Sequence, residues 1–182
     1  MVERHPCAVY FDTSALLKLY VQERWTEEAE RAAEEAEVVL VSEISYLEAR
    51  ASFARMREDG ALESDGDLRR VVERFEEDWP GFLASPVGGD LLRAAGALAE
   101  KHRRKRLRSY DALHLASALD AFGLFRAPEE GGPEWRTLFL AFDRNLVKAS
   151  RGEVGLYFDP FAEQPAAGEE GGGEPADVDG ET

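Results

Sequence analysis

The sequence is poor in the residues that form disulfides and bind soft metals. Cys7 is the only cysteine among 182 residues, so no disulfide can form within the chain, and there are only three histidines. These numbers argue against a zinc site, which takes its ligands mainly from Cys and His. No apolar run approaches the roughly 20 residues that a membrane-spanning helix requires, and the first residues lack the apolar core of a signal peptide. We therefore expect a cytoplasmic protein that does not enter a membrane.

Positive charge is scarce, and the last part of the sequence has none. The net charge is −15, which at first sight disfavours a polyanionic partner. From Asp159 onward there are eight acidic and no basic side chains, whereas residues 1–158 contain 22 basic and 29 acidic side chains, a net charge of −7. The final Gly-rich, acidic stretch has almost no large apolar residues with which to form a core. We therefore predict one domain over residues 1–160 and a disordered tail over residues 161–182.

Short apolar runs alternate with amphipathic helical patterns along the domain. The apolar runs predict strands at 7–11, 38–41, 82–87, 137–142 and 154–158. The patterns between and beside them predict helices at 14–21, 26–36, 43–59, 65–79, 89–102, 109–122 and 144–150. Strands that alternate with helices favour an α/β fold, here a three-layer α/β/α sandwich around a parallel sheet of four to five strands. In such folds, functional groups collect at the carboxyl ends of the strands.

Four acidic residues occupy unusual positions in this pattern. Asp12 and Asp143 each follow an apolar strand directly, in "AVYFD" and "LFLAFD". If the two strands are neighbours, both side chains lie at the same edge of the sheet. Glu48 interrupts the apolar stripe of its predicted helix, and Asp111 lies near the start of an otherwise apolar helix. The side chains of Glu48 and Asp111 should therefore point inward.

Each of these acids also has a simpler explanation. Asp12, Asp111 and Asp143 lie at or near predicted helix starts, where a carboxylate accepts backbone N–H groups, and Glu48 could pair with a basic side chain. If all four converge within about 5 Å, however, each pair repels by about 3 kcal/mol at an effective dielectric constant of about 20. Such a cluster requires protonation or divalent cations, and an all-oxygen ligand set favours Mg²⁺ or Mn²⁺.

Four segments of the sequence match the motifs of a known family in their order and spacing. They are "YFDTSALLKLY", "VSEISYLEARASFAR", "YDALHLASAL" and "LAFDRNL". Together they resemble PIN-domain proteins of the VapC type, the ribonuclease toxins of toxin–antitoxin pairs, over residues 7–158. The resemblance implies a PIN-like fold and a Mg²⁺- or Mn²⁺-dependent endoribonuclease whose products carry 5′-phosphate and 3′-hydroxyl ends.

The resemblance also implies a role for each acid. Asp12, Glu48 and Asp111 would bind the principal cation, Asp143 would contribute to a second cation or orient water, and all four would be catalytic. Ser14 matches the hydroxyl residue of the family motif, where it would hydrogen-bond a ligand or the substrate phosphate, although a helix-start hydroxyl would look the same. The sequence departs from many relatives at Ala141, where they have Thr or Ser two residues before the last Asp. This departure bears on how Asp143 is held.

A basic segment precedes the third motif. "KHRRKRLR", residues 101–108, has six Lys or Arg side chains in eight positions. We predict that it contacts RNA phosphates through Arg103, Arg104, Lys105, Arg106 and Arg108. The alternative is a solvated helix end whose cations face the helix dipole. His114 shares a helix face with Asp111, and we expect it to pack or hydrogen-bond locally rather than to act as a base.

The resemblance further implies an RNA substrate, a homodimer, and a cognate antitoxin that would dock across the early helices. Two other functions stay open at this stage. An aspartyl phosphohydrolase would use Asp12 as a covalent nucleophile, but motifs of the haloacid dehalogenase type have a second Asp where Ser14 stands. A PIN module that binds RNA or protein without cleavage is the other, and Ala141 is the only residue that favours it.

Overall fold

A parallel sheet of five strands forms the centre of the protein, which is described here by a computed structural model over residues 5–126 and 132–162. The strands are β1 (Cys7–Phe11), β2 (Val38–Ser42), β3 (Leu83–Ser85), β4 (Arg136–Leu140) and β5 (Leu156–Tyr157). Their order across the sheet is β3-β2-β1-β4-β5, and every neighbouring pair is parallel. The predicted parallel α/β fold is confirmed.

Helices cover both faces of the sheet. They are α1 (Thr13–Leu16), α2 (Thr26–Glu35), α3 (Ile44–Glu58), α4 (Asp65–Asp78), α5 (Gly89–Lys101), α6 (Ser109–Gly123) and α7 (Arg144–Ser150). Successive residues of a strand point to opposite faces, so β1 contributes to two cores. Tyr10 packs with residues of α5, α6 and α7, whereas Phe11 packs with residues of α1 to α4. These two cores confirm the three-layer sandwich.

Three predicted elements are shorter than the sequence suggested. β3 ends at Ser85 because Pro86 has no N–H group to donate to a neighbouring strand. β5 has only two residues, and it lies at an edge of the sheet, where only one neighbour holds it. The helix predicted at 14–21 is the four-residue α1 continued by a 3₁₀ turn at 17–19.

The functional edge of the sheet follows from the strand order. The chain moves outward from β1 to β2 and β3, then returns past β1 to form β4. β1 and β4 are therefore adjacent, with Phe11 paired to Leu140, and their carboxyl ends border the crevice where the strand order reverses. Asp12 continues the pairing, since its N–H donates to the Leu140 carbonyl at 3.1 Å.

Two further predictions concern the tail of the sequence and the membrane. The tail predicted at 161–182 lies almost wholly outside the described residues, so the division at residue 160 stays a prediction. Among the described residues, no helix is both long enough and apolar enough to cross a membrane.

Candidate active site

The four predicted acids line one cavity of about 670 Å³ at the carboxyl end of the sheet. Asp12 follows β1, Asp143 follows β4, Glu48 lies in α3 and Asp111 lies in the first turn of α6. The fold thus brings together side chains that are far apart in sequence. A second cavity, of about 770 Å³ between α5 and α6, is lined mostly by apolar side chains and has only Asp90, Lys101 and Asp120 as charged residues.

Asp12 is the most deeply buried of the four acids, with only 4% of its surface exposed. Its Oδ1 accepts the Ala15 N–H at 2.8 Å and so caps α1, as the simpler explanation of the sequence anticipated. It also accepts the Ser14 hydroxyl at 2.7 Å. Burial raises the pKa of Asp12 to about 6 despite these hydrogen bonds, and the nearby charge of Asp111 adds to the rise. Asp12 is therefore a carboxylate whose negative charge is poorly compensated.

Ser14 connects the two strand ends that carry acids. Its hydroxyl donates to Asp12, and the same oxygen accepts the Phe142 N–H at 2.8 Å. Phe142 directly precedes Asp143. Ser14 thereby fixes the Asp12 carboxylate relative to the backbone that presents Asp143.

Among the described residues, Glu48 is held by a hydrogen-bond network rather than by an ion pair with a Lys or Arg. Its Oε2 accepts the Thr13 hydroxyl at 2.5 Å and lies 2.7 Å from Nε2 of His114. Nδ1 of His114 lies 3.1 Å from the hydroxyl of Tyr10, which is fully buried. Burial alone would raise the pKa of Glu48, but the hydrogen bonds from His114 and Thr13 outweigh it and hold the pKa below its ordinary value. Glu48 is therefore an oriented anion.

Asp111 and Asp143 line the same cavity, and both receive backbone hydrogen bonds. Oδ2 of Asp111 accepts the Arg108 N–H at 3.2 Å, and Oδ1 of Asp143 accepts the N–H groups of Asn145 and Leu146 at 2.8 and 2.9 Å. Asp143 is thus held by the first turn of α7, although Ala141 offers no hydroxyl. The pKa of Asp111 is raised by burial and then by the charge of Asp143.

The donor set fits a hard divalent cation in its chemistry. All four side chains offer carboxylate oxygens, and no Lys or Arg among the described residues forms an ion pair with Asp12, Asp111 or Asp143. Within residues 5–126 and 132–162, no group of three or more His, Cys, Asp or Glu side chains is arranged to hold a metal ion. Hydrogen bonds orient Oε2 of Glu48 and Oδ1 of Asp143. Coordination by the quartet therefore requires side-chain adjustments that bring its carboxylates to a common centre.

The basic segment lies beside the cavity, with its side chains in different environments. Lys101 pairs with Glu153 at 2.7 Å, and Lys105 donates to the Lys148 carbonyl at 2.9 Å. The segment turns through a 3₁₀ turn at 103–105, after which Arg106 has a positive φ of 56°. The exposed basic residues are Lys101, Arg103, Arg104, Arg106 and Arg108. Of the five predicted RNA contacts, only Arg108 lines the cavity itself.

The comparison with known families decides the classification. A family model described as "PIN domain" matches residues 9–123. The chain belongs to the PIN-domain family. The matched region includes Asp12, Glu48 and Asp111, whereas Asp143 lies beyond it.

Two curated proteins are similar in sequence to this chain. Ribonuclease VapC45 of Mycobacterium tuberculosis (strain CDC 1551 / Oshkosh) is 32% identical over 111 residues, which covers 61% of this chain and 74% of that protein. Ribonuclease VapC49 of Mycobacterium tuberculosis (strain ATCC 25618 / H37Rv) matches with the same identity and coverage. The predicted resemblance to PIN-domain proteins of the VapC type is confirmed.

Sequence reasoning missed part of the machinery of this PIN domain. Thr13 and Tyr10 were not predicted to take part, yet they complete the network that orients Glu48. A signal was present for His114, because it follows Asp111 by one helical turn and so shares its face. The sequence offers no comparable signal for Tyr10, which reads as an ordinary core residue of β1.

Proposed function

We propose that the protein is a metal-dependent endoribonuclease, which hydrolyses phosphodiester bonds in RNA and acts as the toxin of a toxin–antitoxin pair. The observation that carries this proposal is the convergence of four carboxylates in one cavity of a PIN domain. The two curated relatives are named as ribonucleases, which supports the same reaction.

The proposed metal ligands are Asp12, Glu48, Asp111 and Asp143, with Mg²⁺ or Mn²⁺ as the cation. When bound, such a cation lowers the pKa of water and offsets negative charge on a phosphate. Neighbouring residues of this chain hold the proposed metal ligands in position. Ser14 holds Asp12, Thr13 and His114 hold Glu48, and the first turn of α7 holds Asp143. The raised pKa of Asp12 fits a ligand whose charge is left for a cation to compensate.

RNA binding by a protein with a net charge of −15 requires a local positive surface. The proposed contacts are Arg103, Arg104, Lys105, Arg106 and Arg108, of which Arg108 is nearest to the acids. A cognate antitoxin and a homodimer remain proposals from the family resemblance, and a cytoplasmic location remains a proposal from the composition. The antitoxin would inhibit by covering the cavity and placing a basic side chain among its carboxylates.

The proposal is tested by incubating the purified chain with RNA in the presence of Mg²⁺ or Mn²⁺. We expect cleavage that EDTA abolishes, and a loss of at least about 100-fold in rate for Asp111→Asn, as is usual when a group that stabilises the transition state is removed. Asp120→Asn is the matched control, because Asp120 is exposed on the same helix and does not line the cavity. Cleavage that persists in EDTA or in Asp111→Asn would contradict the proposal.

A further inference from the structure

The exposed arginines of the basic segment form a positively charged surface, which we call the arginine surface. They are Arg103, Arg104, Arg106 and Arg108. Their neighbours Lys101 and His102 differ from them, because Nζ of Lys101 and Nε2 of His102 each lie 2.7 Å from Oε1 of Glu153. Among the described residues, none of the four arginines forms an ion pair. The arginine surface is therefore a cluster of cations that those residues leave uncompensated.

The backbone holds the arginine surface in a defined place. A 3₁₀ turn at 103–105 follows α5, and Arg106 then adopts a positive φ of 56°. His102 and Leu107, which flank the turn, are only 6% and 9% exposed. Both ends of the turn are thus anchored in the interior while its arginines face solvent. The charges of the turn are presented from a fixed position on the domain.

The last described residues bring the chain to the helix that supports this turn. The ring of Phe161 lies 4.7 Å from the guanidinium carbon of Arg144, the first residue of α7. Lys105 of the turn donates to the carbonyl of Lys148, one helical turn further along α7. Since each residue advances a helix by 1.5 Å, these two attachments lie about 6 Å apart along the axis of α7. The chain therefore reaches residue 162 close to the base of the arginine surface.

The residues that follow carry charge of the opposite sign. Of the eight acidic side chains from Asp159 onward, all except Asp159 itself lie in residues 163–182, and this stretch has no Lys or Arg. We call it the acidic segment. An extended chain spans at most about 3.5 Å per residue, so Glu169 can lie up to about 24 Å from residue 162. Chain length therefore allows the acids of the segment to reach the arginine surface.

We propose that the acidic segment docks on the arginine surface and competes there with RNA. Carboxylates and phosphates are both good partners for a guanidinium, so the two ligands require the same groups. Because the segment is tethered beside the surface, its effective concentration there is on the order of 1 mM. A contact with a dissociation constant on the order of 0.2 mM would then weaken RNA binding about fivefold. The competition rests on the proposed function, whereas the contact itself does not.

A spin label attached to Ala176→Cys tests the contact by NMR, with Cys7→Ser removing the only other thiol. We expect the label to broaden the backbone N–H signals of Arg103, Arg104 and Arg106 more than those of α2, which packs against the opposite face of the sheet. The broadening should disappear in about 1 M NaCl, where the screening length falls to about 3 Å. Broadening that is absent, or that is equal on α2, would overturn the proposal.

RNA binding tests the competition, in the Asp111→Asn background so that the RNA stays intact. One variant neutralises four acids of the acidic segment, and a matched control neutralises four exposed acids of α2. The substitutions are Glu169→Gln, Glu170→Gln, Glu174→Gln and Asp177→Asn in the first, and Glu27→Gln, Glu30→Gln, Glu34→Gln and Glu35→Gln in the control. Both variants change the net charge equally. We expect the first to bind RNA about fivefold more tightly than the control at low salt, with a difference that shrinks as salt is added.

Equal affinities of the two variants would show that only their net charge matters, and would overturn the competition. A chain that neither binds RNA nor cleaves it in Mg²⁺ or Mn²⁺ would contradict the proposed function instead. The spin-label measurement contains no RNA, so in that case it still decides whether the acidic segment docks on the arginine surface.

Discussion

Asp12 shows how one side chain serves both structure and chemistry. The carboxylate caps α1, accepts the Ser14 hydroxyl, and is buried near Asp111, and no Lys or Arg of the described residues forms an ion pair with it. The capping explanation and the metal-ligand explanation of the sequence are therefore compatible at this position. The same double use occurs at Asp143, which caps α7 from the rim of the cavity.

The buried charge of Asp12 predicts a gain in stability when it is removed. Since folding raises its pKa from 3.8 to about 6, the folded state disfavours the charged form, and the cost is fully present above about pH 6 and vanishes below about pH 4. At 1.36 kcal/mol per pKa unit, this cost is about 3 kcal/mol. Asp12→Asn keeps the oxygen that caps α1, so we expect it to be more stable than the unsubstituted protein at pH 8 in EDTA, and not at pH 4.

Urea unfolding at the two pH values measures this difference. A gain at pH 8 that disappears at pH 4 agrees with an uncompensated buried charge. An Asp12→Asn variant that is equally destabilised at both pH values would instead show that the carboxylate contributes only through its hydrogen bonds.

The network around Glu48 predicts a positioning role for His114. Groups that orient metal ligands typically change activity or metal affinity by about 10- to 100-fold when they are removed. We expect His114→Ala to lower kcat within this range and to raise the Mg²⁺ concentration needed for half-maximal activity, with a smaller change in KM for RNA. Ser150→Ala is the control, since Ser150 is also buried, bonds to the Val147 carbonyl and does not line the cavity. Equal effects of the two substitutions would indicate a purely structural role.

At the scale of elements, the strand order explains why distant acids meet. β1 and β4 are neighbours at the switch point, so the residues that follow them share one edge, and α3 and α6 bring Glu48 and Asp111 over that edge. The shared edge of Asp12 and Asp143 was predictable, because each follows an apolar strand directly in the sequence. The short β3 and β5 were overestimated, because an apolar run does not reveal how many of its residues find a partner strand.

The end of α5 is held by an ion pair that also positions the basic segment. Glu153, which follows α7, accepts from Lys101 and lies 2.7 Å from Nε2 of His102. Burial would raise the pKa of Glu153, but the hydrogen bonds from Lys101 and His102 lower it overall. A carboxylate with a lowered pKa stabilises the fold above its ordinary pKa, and this contribution is lost as the pH falls through the lowered value.

We therefore expect Glu153→Gln to lower the free energy of unfolding by about 2 kcal/mol at pH 7, typical of hydrogen bonds to a charged group, and by progressively less as the pH falls below the ordinary pKa of Glu. Chemical denaturation across this range provides the measurement. Glu100→Gln, an exposed substitution in α5 next to Lys101, serves as the control. A cost that does not change with pH would contradict the role given to the charge of Glu153.

At the scale of the whole molecule, the sequence predicted the architecture better than it predicted the contacts. Periodicity identifies strands and helices, and the motif spacings identified the four acids of the cavity. Neither reveals that Thr13 and His114 both hydrogen-bond to Glu48. Those relations depend on how α3 and α6 pack against the sheet, at distances that no local pattern fixes.

The account depends on one claim about the molecule, namely that the acids of this cavity hold a divalent cation. Diffraction from crystals grown with Mn²⁺, with anomalous differences recorded, tests that claim most directly. We predict an Mn²⁺ ion bound by oxygens of Asp12, Glu48 and Asp111, with Oε2 of Glu48 still hydrogen-bonded to Thr13 and His114. A cavity without Mn²⁺ in protein that cleaves RNA, or an ion bound only at another surface, would contradict the account.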